Sequence, residues 1–244
     1  MNFSRYKPFF YQFLPQPLKR VWRELRANYL ESYRVESYAQ EGEDVILQRL
    51  LENQGQGFYV DVGAHHPKRF SNTYLLYRRG WSGVNIDATP GSMRAFRQHR
   101  PRDINLEIAI AATSATLTFY IFDEPALNTF DERLAQERNA TTPFRIVAEK
   151  RILTRPLRDI LSEHLPPNQP IDILSIDVEG FDLDVLRSND WERFRPRYAL
   201  VECLDVADPY GATDPVYRWM NELGYRLAAK TVNTAIFQDG RPGI

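Results

Sequence analysis

Residues 58–67 read FYVDVGAHHP, an apolar run that contains one carboxylate and ends at a glycine. A short run rich in aromatic and β-branched residues, closed by Gly63, is typical of a strand buried in a sheet. Asp61 lies inside this run, and a buried carboxylate requires a polar partner. In α/β sheets ligands bind beyond the carboxyl ends of the strands, so the polar residues after this strand indicate a binding site.

Short apolar runs alternate with helical patterns along much of the chain. Strands are predicted for residues 58–62, 84–86, 105–111, 171–176, 198–201, 225–228 and 234–237. Helices are predicted for residues 44–52, 73–79, 92–99, 183–187 and 216–223. This alternation is typical of an α/β protein with a mostly parallel, doubly wound, Rossmann-like sheet.

Two segments in the middle of the chain depart from this alternation. Residues 115–122 alternate apolar and polar side chains with no helix before them, which predicts an added antiparallel strand or hairpin. Residues 123–155 are mixed and polar, and we predict a loop or lid there, on the substrate side of the sheet. Both segments would then lie outside the order of the core strands.

The beginning of the chain differs from the rest in charge. Residues 1–34 contain seven basic and two acidic residues. Five apolar residues follow Pro15 and Pro17 at helical spacing: Leu18, Val21, Trp22, Leu25 and Tyr29. The pattern predicts a basic amphipathic extension over residues 1–36, ahead of a main domain over residues 37–244. Such a helix docks on its own domain or a second subunit, or contacts an anionic membrane surface peripherally.

Composition restricts the class of protein. With 43% hydrophobic and 26% charged residues, the chain has the composition of a globular protein. A net charge of -1 provides no field that would concentrate nucleic acid, which is therefore not an expected partner. The single cysteine, Cys203, cannot form an internal disulfide, and no apolar run is long enough to span a bilayer. We expect a cytoplasmic protein, with the inner membrane surface as the place of any peripheral contact.

The polar residues after the first two strands indicate a nucleoside ligand. Gly63 stands alone, without the further glycines that cradle a pyrophosphate in dinucleotide-binding folds. Asp87 follows the second strand, where such folds accept hydrogen bonds from ribose hydroxyls. Together with Asp61, these residues fit a nucleoside without a pyrophosphate. The alternative is a pair of strand-end turns in which the carboxylates only cap backbone N–H groups.

A second acidic group follows the strand at residues 171–176. The sequence there is DVEG, residues 177–180, and its two carboxylates should lie at the same sheet edge as Asp61. They could hold a substrate hydroxyl, act as a general base or coordinate a divalent cation, and the sequence leaves this choice open. Glu202, after the strand at residues 198–201, could join them.

Two further patterns have both a structural and a chemical interpretation. His65 and His66 lie in the turn after the first strand, and we favour His66 as a proton acceptor near neutral pH. No partner at ligand spacing supports a zinc site there.

Asp182 and Asp184 form the D-x-D of metal-dependent glycosyltransferases, although Asp182 is placed to cap the helix that begins at residue 183. A glycosyltransferase and a non-catalytic nucleoside-binding protein remain alternative functions.

The chain from residue 37 to residue 237 resembles the FkbM family of S-adenosylmethionine-dependent methyltransferases. The matching segments, in order, are YAQEGED at 38–44, FYVDVGA at 58–64, SNT at 71–73, GWSG at 80–83, ILSIDVEG at 173–180 and VE at 201–202. The resemblance implies a Rossmann-like class I methyltransferase fold with a seven-stranded, mostly parallel sheet. It also implies S-adenosyl-L-methionine as cofactor.

The resemblance further implies which residues bind this cofactor: Glu43, Asp61, Gly63, Ala64, Asn72, Asp87 and Ala109. Asp61, Gly63 and Ala64 are expected at its methionine end, Asp87 at the ribose and Ala109 at the adenine.

The implied reaction is O-methylation of a hydroxyl on a sugar, a glycan or a secondary metabolite. Asp177, Glu179 and His66 are the expected catalytic residues, with the carboxylates orienting the acceptor. The sequence leaves metal dependence and oligomeric state open.

Overall fold

The computed structural model describes residues 9–30, 33–203 and 214–241. The chain divides into two compact units, Met1–Glu36 and Ser37–Ile244. In the first unit a 3-10 turn, Phe9–Phe13, precedes helix α1 (Gln16–Leu25), which continues into a π-helical turn, Arg26–Leu30. Helix α1 has a proline in its first turn, where a missing N–H costs nothing, and none of its residues is buried. The predicted amphipathic helix is thus present.

The second unit contains ten strands and seven helices among its described residues. The strands are β1 (Phe58–Val62), β2 (Ser82–Asp87), β3 (Ile104–Glu107), β4 (Ala109–Ile110), β5 (Thr116–Phe122), β6 (Ile146–Arg155), β7 (Ile173–Ile176), β8 (Tyr198–Glu202), β9 (Tyr225–Lys230) and β10 (Thr234–Asp239). The helices are α2 (Glu43–Leu50), α3 (Tyr74–Arg78), α4 (Met93–His99), α5 (Glu132–Thr141), α6 (Leu157–His164), α7 (Asp182–Ser188) and α8 (Pro215–Glu222). Across the described chain, no helix has the length and apolar character that a membrane span requires.

Seven strands form the main sheet in the order β3-β2-β1-β7-β8-β10-β9. The first five run parallel, whereas β10 pairs antiparallel with both β8 and β9. The strand order reverses between β1 and β7, which is the position where doubly wound sheets bind ligands. The predicted Rossmann-like, seven-stranded, mostly parallel sheet is confirmed.

Strand β1 is central and buried along its whole length. Val60 and Val62 pack in a core that includes α6, α7 and α8, while Tyr59 packs on the opposite face with residues of α2 and α3. Side chains alternate between the faces of a strand, so a strand covered on both faces needs a continuous apolar run. This explains why its sequence is apolar except at Asp61.

The middle of the chain forms a second, three-stranded sheet, β4-β6-β5, and corrects two predictions. The strand predicted at residues 105–111 is two strands, because the chain leaves the main sheet after Glu107 and β4 pairs with β6. The loop predicted at residues 123–155 instead contains α5 and the ten-residue strand β6. Four of the ten residues of β6 are charged and only Thr154 is buried, so the strand has no long apolar run. The hairpin predicted for residues 115–122 is confirmed, since β5 pairs antiparallel with β6.

Candidate active site

A cleft lies beyond the carboxyl ends of β1, β2 and β7. Its walls consist of residues at the ends of these three strands and of residues between 119 and 130, which belong to β5 and the segment after it. Its volume is about 750 Å³, counting space open to solvent. Residues between 125 and 130, part of the predicted lid, line the cleft. They belong to the ordered connection between β5 and α5.

Gly63 allows the ends of β1 and β7 to approach each other at the floor of the cleft. Its φ is +81°, and a Cβ added there would lie 1.7 Å from the carbonyl oxygen of Asp177. The Gly63 N–H donates to the Ile86 carbonyl over 2.9 Å, and the Asp177 N–H donates to the Val62 carbonyl over 3.0 Å. The glycine is thus required by close contact between two backbone segments, in addition to lining the cleft.

Asp87 ends β2 and lines the cleft with both oxygens anchored. One oxygen accepts the His65 N–H at 2.8 Å and the other accepts the Thr89 N–H at 2.7 Å. A carboxylate oxygen accepts more than one hydrogen bond, so Asp87 can still receive two hydroxyl groups from the cleft. The backbone contacts fix the orientation of the carboxylate before any ligand binds.

Apolar side chains form the wall next to Asp87. Ile86 precedes it in β2, Ile108 lies between β3 and β4, and Ile110 ends β4. Ala109 lies between the two isoleucines, is 1% exposed, and is not among the described residues that line this cleft. Because successive side chains of an extended segment point to opposite sides, the neighbours of Ala109 face the site in its place.

Three carboxylates meet on the other side of the cleft: Asp177, Glu179 and Glu202. An oxygen from each lies within 4.8 Å of the others, and Asp177 and Glu179 line the cleft. Removal from bulk water, together with the negative charges of Glu202 and Glu179, raises the pKa of Asp177 well above its usual range. Burial, followed by the charges of Glu179 and Asp182, raises the pKa of Glu202 to about 8.

Arg138 of α5 forms an ion pair with Glu179 in this cluster. Their side chains are 15% and 18% exposed, so the pair is largely desolvated. Burial raises the pKa of Glu179, although the positive charge of Arg138 opposes this effect. Thr129 also donates its hydroxyl to the Glu179 carbonyl over 2.7 Å. The second sheet is thereby attached to the acidic side of the cleft.

Asp182 shapes the turn that carries this cluster, which corrects its predicted role as a helix cap. It lies in the first turn of α7 and accepts the N–H groups of Val178 and Gly180, each at 3.2 Å. Its hydrogen bonds support a turn in which Glu179 has a φ of +54°. Asp182 and Asp184 therefore do not join the described carboxylate cluster around Asp177.

Asp61 lies behind the cleft, in a buried polar network. Its Oδ2 accepts the Thr73 hydroxyl at 2.6 Å, and the same hydroxyl accepts Nη2 of Arg100 at 2.9 Å. Arg100 is fully buried and pairs with Asp103 at 2.8 Å. Burial raises the pKa of Asp61, while the charge of Arg100 lowers it. Asp61 is not among the described residues of the cleft wall, and its contacts link β1 to α3 and α4.

Glu43 and Asn72 also lie outside the cleft wall as the structure describes it. Glu43 accepts the N–H of Glu41 at 2.9 Å and the hydroxyl of Thr231 at 3.0 Å. Asn72 donates to the hydroxyl of Ser175 over 3.2 Å. These contacts attach the start of α2 and the turn before α3 to the sheet edge, so both residues support the site from behind.

Ala64 and His66 follow β1 but do not belong to the described cleft wall. Ala64 packs with Met93 and Phe96 of α4. His66 accepts two backbone N–H groups of its own turn at Nδ1, which leaves that nitrogen no free lone pair. His65 lines the cleft instead; its Nε2 is buried and has no hydrogen-bond partner among the described residues. Between the two histidines, the structure brings His65 to the site.

Sequence reasoning missed several residues of the site. Arg138, Phe119 and Phe130 come from the second sheet and α5, where the apolar pattern is weak. The signal that could have identified Arg138 is the N-terminal pattern of its helix, since Asp131 accepts the Leu134 N–H at 2.9 Å as an N-cap.

Comparison with known proteins assigns the family. The sequence model described as "Methyltransferase FkbM domain" matches residues 61–227. None of the curated proteins matches the chain. The family match runs from Asp61, near the end of β1, to Leu227, within β9. It includes the Gly63, Asp87 and Asp177 positions that line the cleft.

Solved structures give distant similarities. A TehB-like SAM-dependent methyltransferase from Corynebacterium glutamicum aligns with a TM-score of 0.38 and 11% identity, over 92% of this chain and 97% of the other. An O-methyltransferase from Bacillus cereus, in complex with SAH, aligns with a TM-score of 0.36 and 12% identity, over 92% and 90% of the chains. These values assign no site residues or substrate. The family match, which covers more than half of the sequence, does assign the family: the chain belongs to the FkbM methyltransferases.

Proposed function

We propose that this protein is an S-adenosyl-L-methionine-dependent O-methyltransferase that acts on a hydroxyl of a sugar or a similar hydroxylated acceptor. The observation that supports this most is the content of a single cleft. One part of the cleft contains the Asp87 carboxylate, held by backbone N–H groups, beside an apolar wall. Another part contains Asp177, which belongs to a cluster of carboxylates. The first part suits a nucleoside, and the second suits a hydroxyl that must lose its proton.

The residues around Asp87 fit the proposed cofactor. When bound, S-adenosylmethionine supplies a methyl group on a positively charged sulfur. Asp87 would accept the ribose hydroxyls, and the isoleucine wall at Ile108 and Ile110 would cover the adenine. Gly63 would contribute a floor without a side chain.

Asp177 is the proposed general base. It is exposed to the cleft, and its raised pKa makes it a stronger base than an ordinary aspartate. Asp177 would accept the proton that the acceptor hydroxyl loses. Glu179, held by Arg138, would orient the acceptor. Positioning contributes most of the rate in such transfers, and proton removal adds to it.

Aromatic side chains support a carbohydrate acceptor. Phe119 and Phe130 line the cleft with ring centroids 4.6 Å apart, and Phe130 lies 5.8 Å from the ring of Phe181. Sugar rings present apolar C–H faces and polar edges, so they fit a site that combines aromatic rings with carboxylates. This combination occurs on the side of the cleft that carries Asp177.

The test is transfer of radiolabelled methyl from S-adenosylmethionine to a panel of sugars, glycans and hydroxylated metabolites. We expect product with at least one hydroxyl acceptor, and a loss of roughly 10²–10⁴-fold in kcat for Asp177→Asn with cofactor affinity preserved. Asp184→Asn, a carboxylate on α7 outside the cluster, is the matched control and should retain wild-type kcat. Undiminished turnover by Asp177→Asn would refute the assignment of the base. Cofactor binding without transfer to any acceptor would favour a non-catalytic nucleoside-binding protein.

A further inference from the structure

Helix α1 carries an apolar stripe of three exposed side chains. Leu18, Val21 and Leu25 recur at spacings of three and four residues and are 52%, 50% and 47% exposed. Side chains at these spacings lie on one face of a helix. A folded chain rarely leaves aliphatic side chains in such a row on a helix, so the stripe indicates a contact surface.

Helix α1 also carries three basic side chains. Lys19, Arg20 and Arg23 lie between the apolar positions, and Glu24 is the one acidic residue in the helix. Residues 1–36 contain seven basic and three acidic residues, whereas residues 37–244 contain 24 basic and 29 acidic ones. The segment that carries the stripe therefore has a net positive charge, whereas the rest of the chain has a net negative charge.

We propose that α1 lies in the plane of an anionic lipid bilayer, with the stripe of Leu18, Val21 and Leu25 in the acyl boundary and the basic residues at the headgroups. A helix of ten residues measures about 15 Å at 1.5 Å per residue, too short to cross a bilayer core of about 30 Å. One apolar face with Lys and Arg around it is the pattern of helices that lie in the interface. Cationic side chains favour anionic lipids in particular, and the long stems of Lys and Arg reach the headgroups from beside the stripe.

Charge reversal in the full-length chain tests the electrostatic half of the proposal. Cosedimentation is measured with vesicles of phosphatidylcholine alone and of phosphatidylcholine with phosphatidylglycerol. We expect binding to the anionic vesicles, weakened by salt, and a loss of roughly tenfold or more for Arg20→Glu/Arg23→Glu. Arg49→Glu/Arg133→Glu is the matched control, because these arginines are 81% and 80% exposed on other helices and each pairs with a nearby glutamate, as Arg20 does with Glu24. An equal loss in the control would overturn the proposal, as would wild-type binding that ignores the anionic lipid.

Removal of the stripe tests the apolar half. Leu18→Ser/Val21→Ser/Leu25→Ser should lose vesicle binding and retain the thermal unfolding temperature of the main domain. Wild-type binding by this variant would overturn the proposal. The oligomeric state without vesicles is measured in parallel. If the wild type binds no vesicles but forms a dimer that this variant abolishes, the stripe is a subunit interface and the lipid proposal is wrong.

Discussion

Gly63 is the residue whose identity the fold constrains most directly. Its left-handed backbone conformation and the missing Cβ let the Asp177 carbonyl oxygen occupy the space that a side chain would fill. From the sequence this glycine predicts close approach of a ligand, and the structure shows close approach of the neighbouring strand. The same residue therefore joins two strand ends and opens the floor of the cleft.

Replacement of Gly63 by alanine should destabilise the protein far more than the cost of a left-handed alanine. Gly80→Ala is the matched control, because Gly80 also has a positive φ, +96°, but has no atom within 4 Å of its Cβ position. We expect the control to lose about 1–2 kcal/mol and Gly63→Ala to lose at least twice as much. Urea denaturation measures both free energies of unfolding. Equal losses would show that the contact with the Asp177 carbonyl does not matter.

Arg138 determines what the carboxylate cluster can bind. Three carboxylates within 4.8 Å of one another are a potential site for a divalent cation, but Glu179 is already paired with a guanidinium. We therefore expect methyl transfer to continue at an unchanged rate after treatment with EDTA and gel filtration. Loss of activity that Mg²⁺ or Ca²⁺ restores would instead identify a metal-dependent enzyme and would displace Arg138 from its proposed role.

Residues that directly follow apolar strands could be predicted from sequence. Asp87 and Asp177 were found because each stands at the end of a buried run, and parallel strands bring their carboxyl ends to one edge. The sequence could not show which of the residues near these strand ends point their side chains into the cleft. Asp61 therefore belongs to the network of Arg100, and His65 lines the cleft where His66 was expected.

Among the elements, β8 brings Glu202 into contact with the turn after β7. The pKa of Glu202 is raised to about 8, whereas that of an exposed glutamate is about 4.3. At a pH between these two values, the Glu202 carboxyl group still holds its proton in the native state and has lost it in the unfolded chain. The contribution of Glu202 to the stability of the fold therefore decreases as pH rises from about 4 to about 8.

Replacement of Glu202 by glutamine should remove this loss of stability. We expect the melting temperature of Glu202→Gln to exceed that of the wild type above about pH 8 and the difference to shrink toward about pH 4. Glu192→Gln, an exposed carboxylate after α7, is the control and should follow the wild type at every pH. Melting curves that differ by a constant amount across this range would contradict the predicted ionisation.

The second sheet is the element that sequence reasoning could not provide. Strand β6 exposes Glu149, Lys150 and Arg151 in succession, so it lacks both an apolar run and a regular alternation. Its pairing with β5 depends on partners about 30 residues apart, which no local pattern reveals. The core strands were predicted well because burial on both faces demands apolar sequence, and that demand is absent here.

For the whole molecule, the polar groups of the cleft divide into two sets, one of which we propose binds the nucleoside and the other the acceptor. Asp87 and the isoleucines lie beyond β2 and β3, and Asp177 and Glu179 lie beyond β7. The reversal of strand order between β1 and β7 opens this space. Membership of the FkbM methyltransferases agrees with this division, since methyl transfer requires a cofactor and an acceptor in one cleft.

Calorimetric titration with S-adenosylmethionine tests the proposed cofactor site directly, using the wild type, Asp87→Asn and the control Asp184→Asn, with melting temperatures recorded for each. We predict saturable binding to the wild type and the control. Loss of a hydrogen bond to a charged group, about 1.5–3 kcal/mol, should weaken binding to Asp87→Asn roughly 10- to 100-fold. No binding to the folded wild type, or equal affinity for wild type and Asp87→Asn, would contradict the assignment of the cleft to this cofactor.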